Sequence, residues 1–133
     1  MGSVMTDARP RPALPLDLLI ERKLDYVRLD DAIVLSLSGG GQVLIETCAQ
    51  LTGPHGRFLV EPGVATSDIV ATLLGDLVRD ARVSDTGDLR ITFDSGSELL
   101  VEADPEVESW AFVGPDGLLV VCLAGGELAR WQR

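Results

Sequence analysis

The chain is poor in the groups that most chemistry at neutral pH requires. It holds one histidine, His55, and two cysteines, Cys48 and Cys122, in 133 residues. A Ser-His-Asp arrangement has only one imidazole to build on, and a zinc site lacks its usual nitrogen and sulfur donors. His55 lies inside Gly-Pro-His-Gly, a turn sequence, with no neighbouring group to orient it as a general base. Neither a metal nor a cofactor is expected. The two cysteines sit in apolar, strand-like runs instead of a spaced framework. They read as small buried hydrophobes of a reducing, cytoplasmic protein, with a single Cys48–Cys122 disulfide as the alternative.

Basic residues are scarce as well. Eleven Lys and Arg stand against 21 Asp and Glu, for a formal charge of −10 and a pI near 4.3. A field of that sign repels phosphate backbones and anionic lipid surfaces, which argues against nucleic-acid and membrane partners. No apolar run approaches the ~18 residues of a membrane-spanning helix. The acidity reads either as solubility or as steering toward a cationic protein.

What is present is periodicity. The hydrophobic fraction is 46%, ample for a packed core. Ala32–Glu46, "AIVLSLSGGGQVLIE", and Asp88–Glu102, "DLRITFDSGSELLVE", align without gaps at a constant offset of 56. Each alternates apolar and polar residues, breaks at Ser/Gly and resumes alternation, the pattern of a β-hairpin. The match extends to Leu19–Leu29 with Leu73–Val83, and to Thr52–Gly63 with Val113–Gly125. The last pair shares a Gly-Pro-x-Gly turn that puts Asp116 where the first copy has His55.

The expected architecture is mainly β (α+β), with antiparallel sheets made of two pseudo-duplicated four-strand units joined by one short helix. Residues 1–14 form a flexible, Pro/Arg-rich arm, and 15–133 form a single domain with repeats at about 19–63 and 73–125. The period of two places Ile33, Leu35, Leu37, Val43 and Ile45 inward in the first half, and Leu89, Ile91, Phe93, Leu99 and Val101 in the second. The linking helix is read in "VATSDIVATLLGDL", capped by Thr66 or Ser67, with an apolar stripe of Ile69, Val70, Leu73, Leu74 and Leu77 and a terminating Gly75. "LLVVCLA", Leu118–Ala124, is apolar on both faces, as in a central strand or a subunit interface. "LAGGELARW", Leu123–Trp131, lacks the Gly-Lys-Ser/Thr of a phosphate loop. It reads as a corner followed by an edge strand or turn that seals the core with Trp131.

Candidate binding residues are few. Glu46 and Glu102 are related by the repeat. Glu108 and Trp110 share a face in "EVESWAFVG", where the indole is either an interaction anchor or a plug at the end of the core. No carboxylate spacing resembles a calcium loop.

The C-terminal third, "VESWAFVGPDGLLVVCLAGGELARW", resembles the ending of a family of small bacterial proteins of unknown function. That ending runs Tyr-Glu-x-Trp, Gly-Pro-x-Gly, then Val-Cys-x-Pro-Gly-Gly-x-Leu-Ala-x-Trp, and the likeness covers about Leu16 to Trp131. Glu108, Trp110, Gly114, Gly117, Cys122, Gly125, Gly126, Leu128 and Trp131 match it. Val107 replaces an aromatic and Ala124 a proline. The resemblance implies no reaction; size and acidity are similar to those of immunity proteins that neutralise toxins, which is an analogy. The resulting expectation is a non-enzymatic cytoplasmic interaction module, a homodimer, in one version an inhibitor of a basic protein. The alternatives are a small-ligand domain with a cleft between the halves, and a carboxylate-dependent enzyme using Glu46 and Glu102.

Overall fold

A computed structural model describes residues 14–132, without the side chains of 14, 15 and 65–67; the N-cap of the linking helix is Val64, so Thr66 and Ser67 lie inside its first turn and neither is the expected cap. The expected N-terminal arm lies outside the described residues, apart from Leu14. That residue opens a 3-10 segment, Leu14–Leu19.

Eleven strands follow, as two antiparallel sheets. The first half supplies β1 (Leu24–Leu29), β2 (Ile33–Leu37), β3 (Gln42–Ile45), β4 (Ala49–Gly53) and β5 (Gly56–Val60). The second supplies β6 (Val78–Val83), β7 (Leu89–Phe93), β8 (Glu98–Val101), β9 (Trp110–Val113) and β10 (Leu119–Cys122), and β11 (Leu128–Trp131) closes the chain. Each unit thus has five strands, not the expected four, because the short segments before both Gly-Pro-x-Gly turns also pair.

The sheets are not one per half. Their orders are β1-β2-β3-β9-β10-β11 and β5-β4-β8-β7-β6, so each three-strand meander pairs with the hairpin of the opposite half. The duplication holds to the residue across these joins. Val43 stands opposite Phe112 and Leu99 opposite Leu51, with Leu44 opposite Ala111 and Leu100 opposite Gln50. Both first strands carry a register shift at the same place, Leu24/Tyr26 and Val78/Asp80.

The halves meet at a seam where the isolated bridge Lys23↔Leu77 joins repeat-equivalent residues. Around it Leu24 N donates to Asp76 O (2.9 Å) and Val78 N to Arg22 O (2.9 Å). Glu21 N donates to Val78 O (2.7 Å) and Gly75 N to Leu24 O (2.8 Å). These are two copies of one hydrogen-bond pattern.

All ten residues expected to point inward are buried, in one hydrophobic cluster fed by both sheets. The linking helix is a 3-10 helix, Ala65–Leu73, without a side-chain cap bond. Val70 and Leu73, one 3-10 turn apart, are buried; the helix ends at Leu73, and Leu74, its non-helical C-cap (ψ 132°), turns outward to 47% exposure, so the expected stripe is only partly realised. Gly75 follows with φ 86°, the left-handed residue expected after the helix.

One part of the C-terminal reading is overturned. β11 is the edge strand, and Leu128 packs on the core, but Trp131 is 53% exposed and seals nothing. Trp110 is the plug, fully buried, with Nε1 donating to Gly87 O (2.9 Å). Cys122 is buried and its Sγ donates to the same carbonyl (3.4 Å), whereas Cys48 is exposed, contrary to expectation. Glu46–Cys48 carries the chain from one sheet to the other, and a crossover sits outside both ladders. Both cysteines are free thiols.

Candidate functional site

The halves differ most in their connections. β3 passes to β4 through Glu46–Cys48, whereas β8 reaches β9 through the longer Glu102–Ser109. That extra length is folded by Asp104, whose Oδ1 accepts from Glu106 N (2.8 Å) and Val107 N (3.1 Å), an Asx-type turn after which Glu106, Val107 and Glu108 all project into solvent. The expected strand face shared by Glu106, Glu108 and Trp110 does not form, since β9 begins only at Trp110.

Backbone bonds draw two other segments to this turn. Glu46 N donates to Ser109 O (2.9 Å), which ties the first-half crossover beside it. Gly125 N donates to Asp104 O (2.7 Å), Gly126 N to Leu123 O (2.9 Å) and Leu123 N to Glu127 O (2.8 Å), which dock the Ala124–Gly126 3-10 turn on its other side. Both glycines are left-handed, and the N–H groups a phosphate cradle would need are spent on carbonyls of the chain. Gly126 also lies so close to Thr86 and Gly87 that no Cβ would fit there.

The result is a broad open depression of about 770 Å³ with Glu46, Glu106, Glu108 and Glu127 on its rim and Val107, Leu123 and Ala124 between them. Among the described residues no cationic side chain lines it. Val107 is 51% exposed. Among the described residues no group of three or more His, Cys, Asp or Glu is placed to hold a metal ion.

Of the residues singled out in the sequence, Glu46 and Glu108 meet here. Glu102 ends β8 in the other sheet, exposed and outside the depression. Trp110, fully buried, supports the site from below and offers no surface for an anchor. Glu127 and Val107 were not among the candidates. The length mismatch between the two repeat crossovers is the signal that would have drawn attention to this region. His55 occupies an exposed hairpin turn, as its sequence suggests.

Burial pushes the Cys122 thiol above its usual value, and slight burial with the Glu61 carboxylate nearby does the same to Cys48. Neither is an activated nucleophile.

Residues 16–132 match the family of unknown function DUF6188. The chain belongs to that family. No curated protein and no solved structure matches it. Within this DUF6188 chain, the residues that carry the sequence resemblance divide by role. Trp110 and Cys122 converge on Gly87 O, Gly125 and Gly126 form the left-handed corner, and Leu128 packs on the core. Glu108 and Trp131 are exposed. No helix among the described residues is long and apolar enough to cross a membrane.

Proposed function

We propose that this DUF6188 chain is a non-enzymatic interaction module that receives a Lys/Arg-rich segment of another protein on the depression rimmed by Glu46, Glu106, Glu108 and Glu127. The observation that carries the reading is the convergence of glutamates from three separate stretches of chain on one rim, with no compensating cation among the described residues that line it. Each exposed pair with a lysine or arginine is worth only ~0.2–1 kcal/mol, so recognition needs several at once together with burial of Val107. Inhibition of a basic toxin-like protein by this acidic face is one specific version.

The geometry favours this over the two alternatives. A more enclosed cavity, beside Leu19, Arg22 and Phe112, holds about 110 Å³, below the ~300 Å³ at which small-ligand pockets begin, and the depressions of about 390 and 720 Å³ lined by Arg82 and Arg90 and by Arg28 and Asp30 are more open to solvent. A paired-carboxylate reaction would need Glu46 and Glu102 at one centre, and Glu102, which follows β8, does not line the depression that Glu46 lines.

The test is titration of the full chain with a Lys/Arg-rich peptide by calorimetry at low and moderate salt. Binding is expected to weaken steeply with salt and to fall about two- to thirtyfold in the Glu46→Gln/Glu108→Gln double variant. Salt-independent binding, or affinity unchanged in the double variant, would refute it.

A further inference from the structure

The duplication supplies an internal comparison of the two outer sheet faces. On the five-stranded sheet one row reads Asp80, Thr92, Glu98, Thr52, Arg57 and the next Arg82, Arg90, Leu100, Gln50, Leu59. Arg82 pairs with Asp80 (2.7 Å) and Arg90 with Glu98 (2.6 Å), as befits a solvated face. The equivalent rows of the six-stranded sheet read Tyr26, Ser36, Gln42, Val113, Leu119, Trp131 and Arg28, Val34, Leu44, Ala111, Val121, Ala129. Here Tyr26, Leu119 and Val34 stand where the other face has Asp80, Arg57 and Arg90, Gln42 stands where it has Glu98, and only Arg28 keeps a charge, paired with Asp30 beside the rows (3.4 Å). None of the aliphatic or aromatic residues on these two rows joins the central hydrophobic cluster; Val34, Ala111 and Val121 are buried among their neighbours on the face, and Tyr26, Leu44, Val113, Leu119, Ala129 and Trp131 keep surface exposed. Tyr26 (58% exposed) and Trp131 (53%) stand at opposite ends of one row.

We infer that this face binds a second copy of the chain. The occupant follows from charge. Two chains of −10 each repel, so they can meet only where carboxylates are absent, and these two rows contain none in a molecule with 21 acidic residues. A cationic partner has the acidic rim to meet instead. Two such faces pack as sheet on sheet, ~10 Å apart. A twofold axis along the strands, between β3 and β9, sets Tyr26 of one copy over Trp131 of the other, an isologous contact with aromatic anchors at both ends.

Sedimentation equilibrium of the full chain over a dilution series, at about 0.05 and about 0.5 M NaCl, tests this. The expected mass is twice 14.2 kDa, with self-association strengthening as salt screens the repulsion. This is the reverse of the salt dependence of the cationic segment, so the two proposals fail independently. Tyr26→Asp/Leu119→Arg places on this face the residue types the other sheet carries at the same positions (Asp80, Arg57), which the fold accepts there. It is expected to weaken the dimer at least tenfold with an unchanged circular dichroism spectrum. Leu59→Glu, on the opposite face, is expected to leave the dimer intact. A monomer at every concentration and both salts would overturn the inference, giving the face to residues 1–13 or to a different protein. So would a Tyr26→Asp/Leu119→Arg chain that still dimerises, or a dimer lost only in Leu59→Glu.

Discussion

Glu21 holds φ at 68°, and no other non-glycine residue among those described has a positive φ. Its repeat equivalent is Gly75, φ 86°, and the two residues make the same bond, each amide donating across the seam to the first residue of the other half's opening strand. That bond imposes the left-handed turn; glycine accepts it freely, whereas glutamate is strained by ~1–2 kcal/mol. Against that, glycine loses more freedom on folding, by ~0.5–1 kcal/mol. Glu21→Gly is therefore expected to stabilise the chain by about 0.5–1 kcal/mol, raising Tm by about 2–4 °C for a domain of this size. Gly75→Ala meets no neighbouring atom within 4 Å, so its cost is conformational alone, about 1 kcal/mol. Urea and thermal unfolding followed by circular dichroism give both numbers. Because Glu21→Gly also removes a negative charge, Glu21→Gln is the control and Glu21→Asn, which tolerates the left-handed region, the intermediate. A Glu21→Gly chain less stable than Glu21→Gln, or a neutral Gly75→Ala, would refute the equivalence of the two turns.

Two further outcomes follow from the Gly87 cluster and the exposed thiol. Trp110→Phe removes the bond to Gly87 O and leaves space in the core, for an expected loss of about 2–3 kcal/mol in urea unfolding; a loss below about 0.5 kcal/mol would mean the indole packs without using that acceptor. Native chain should release one thiol to Ellman's reagent, Cys48, with Cys122 reacting only after denaturation. Because burial and the Glu61 carboxylate push the Cys48 thiol up, its labelling at pH 8 should be slower than that of a free cysteine and should accelerate as pH rises. Glu61→Gln should speed labelling at pH 8, and an unchanged rate would remove that carboxylate from the explanation.

Alternation in the chain announces which side of a strand is buried, because a side chain's face follows from the period of two alone. It says nothing about which strand lies alongside. Hence the inward residues and the hairpin turns were legible, while the exchange of hairpins between halves was not. The four and five residues of β9 and β4 are too short to show alternation against their flanks, so neither stands out with its true bounds, and the strand expected through Glu106, Glu108 and Trp110 begins only at Trp110. Cys48 illustrates the cost of reading locally: "VLIETCAQL" is one apolar run by composition, yet its middle is a crossover between sheets. The acidic depression was legible only as separate residues, Glu46 and Glu108. Their meeting depends on Asp104 folding a connection that exists in one repeat and not the other.

That asymmetry joins fold to function. The hairpin exchange means neither half can satisfy its own meander: without β9 and β10, β3 is an open edge, and without β4 and β5, β8 is another. An isolated half would have to recruit a second copy to pair those edges, so the tie between halves comes from backbone ladders and leaves the outer faces and crossovers free to differ. The second half uses that freedom repeatedly. The loop from Ser84 to Asp88, longer than its counterpart at Asp30–Ala32, presents Gly87 O to Trp110 and Cys122, whose equivalents in the first half are Ala49 and Val60 and need no acceptor. The buried indole then supports the crossover that carries Glu106 and Glu108, while β11 adds Trp131 to the outer face. The chain's departures from its own symmetry therefore fall at the acidic rim, at the apolar face and on the supports beneath the rim, which is where selection for partners would act once the scaffold no longer depended on them.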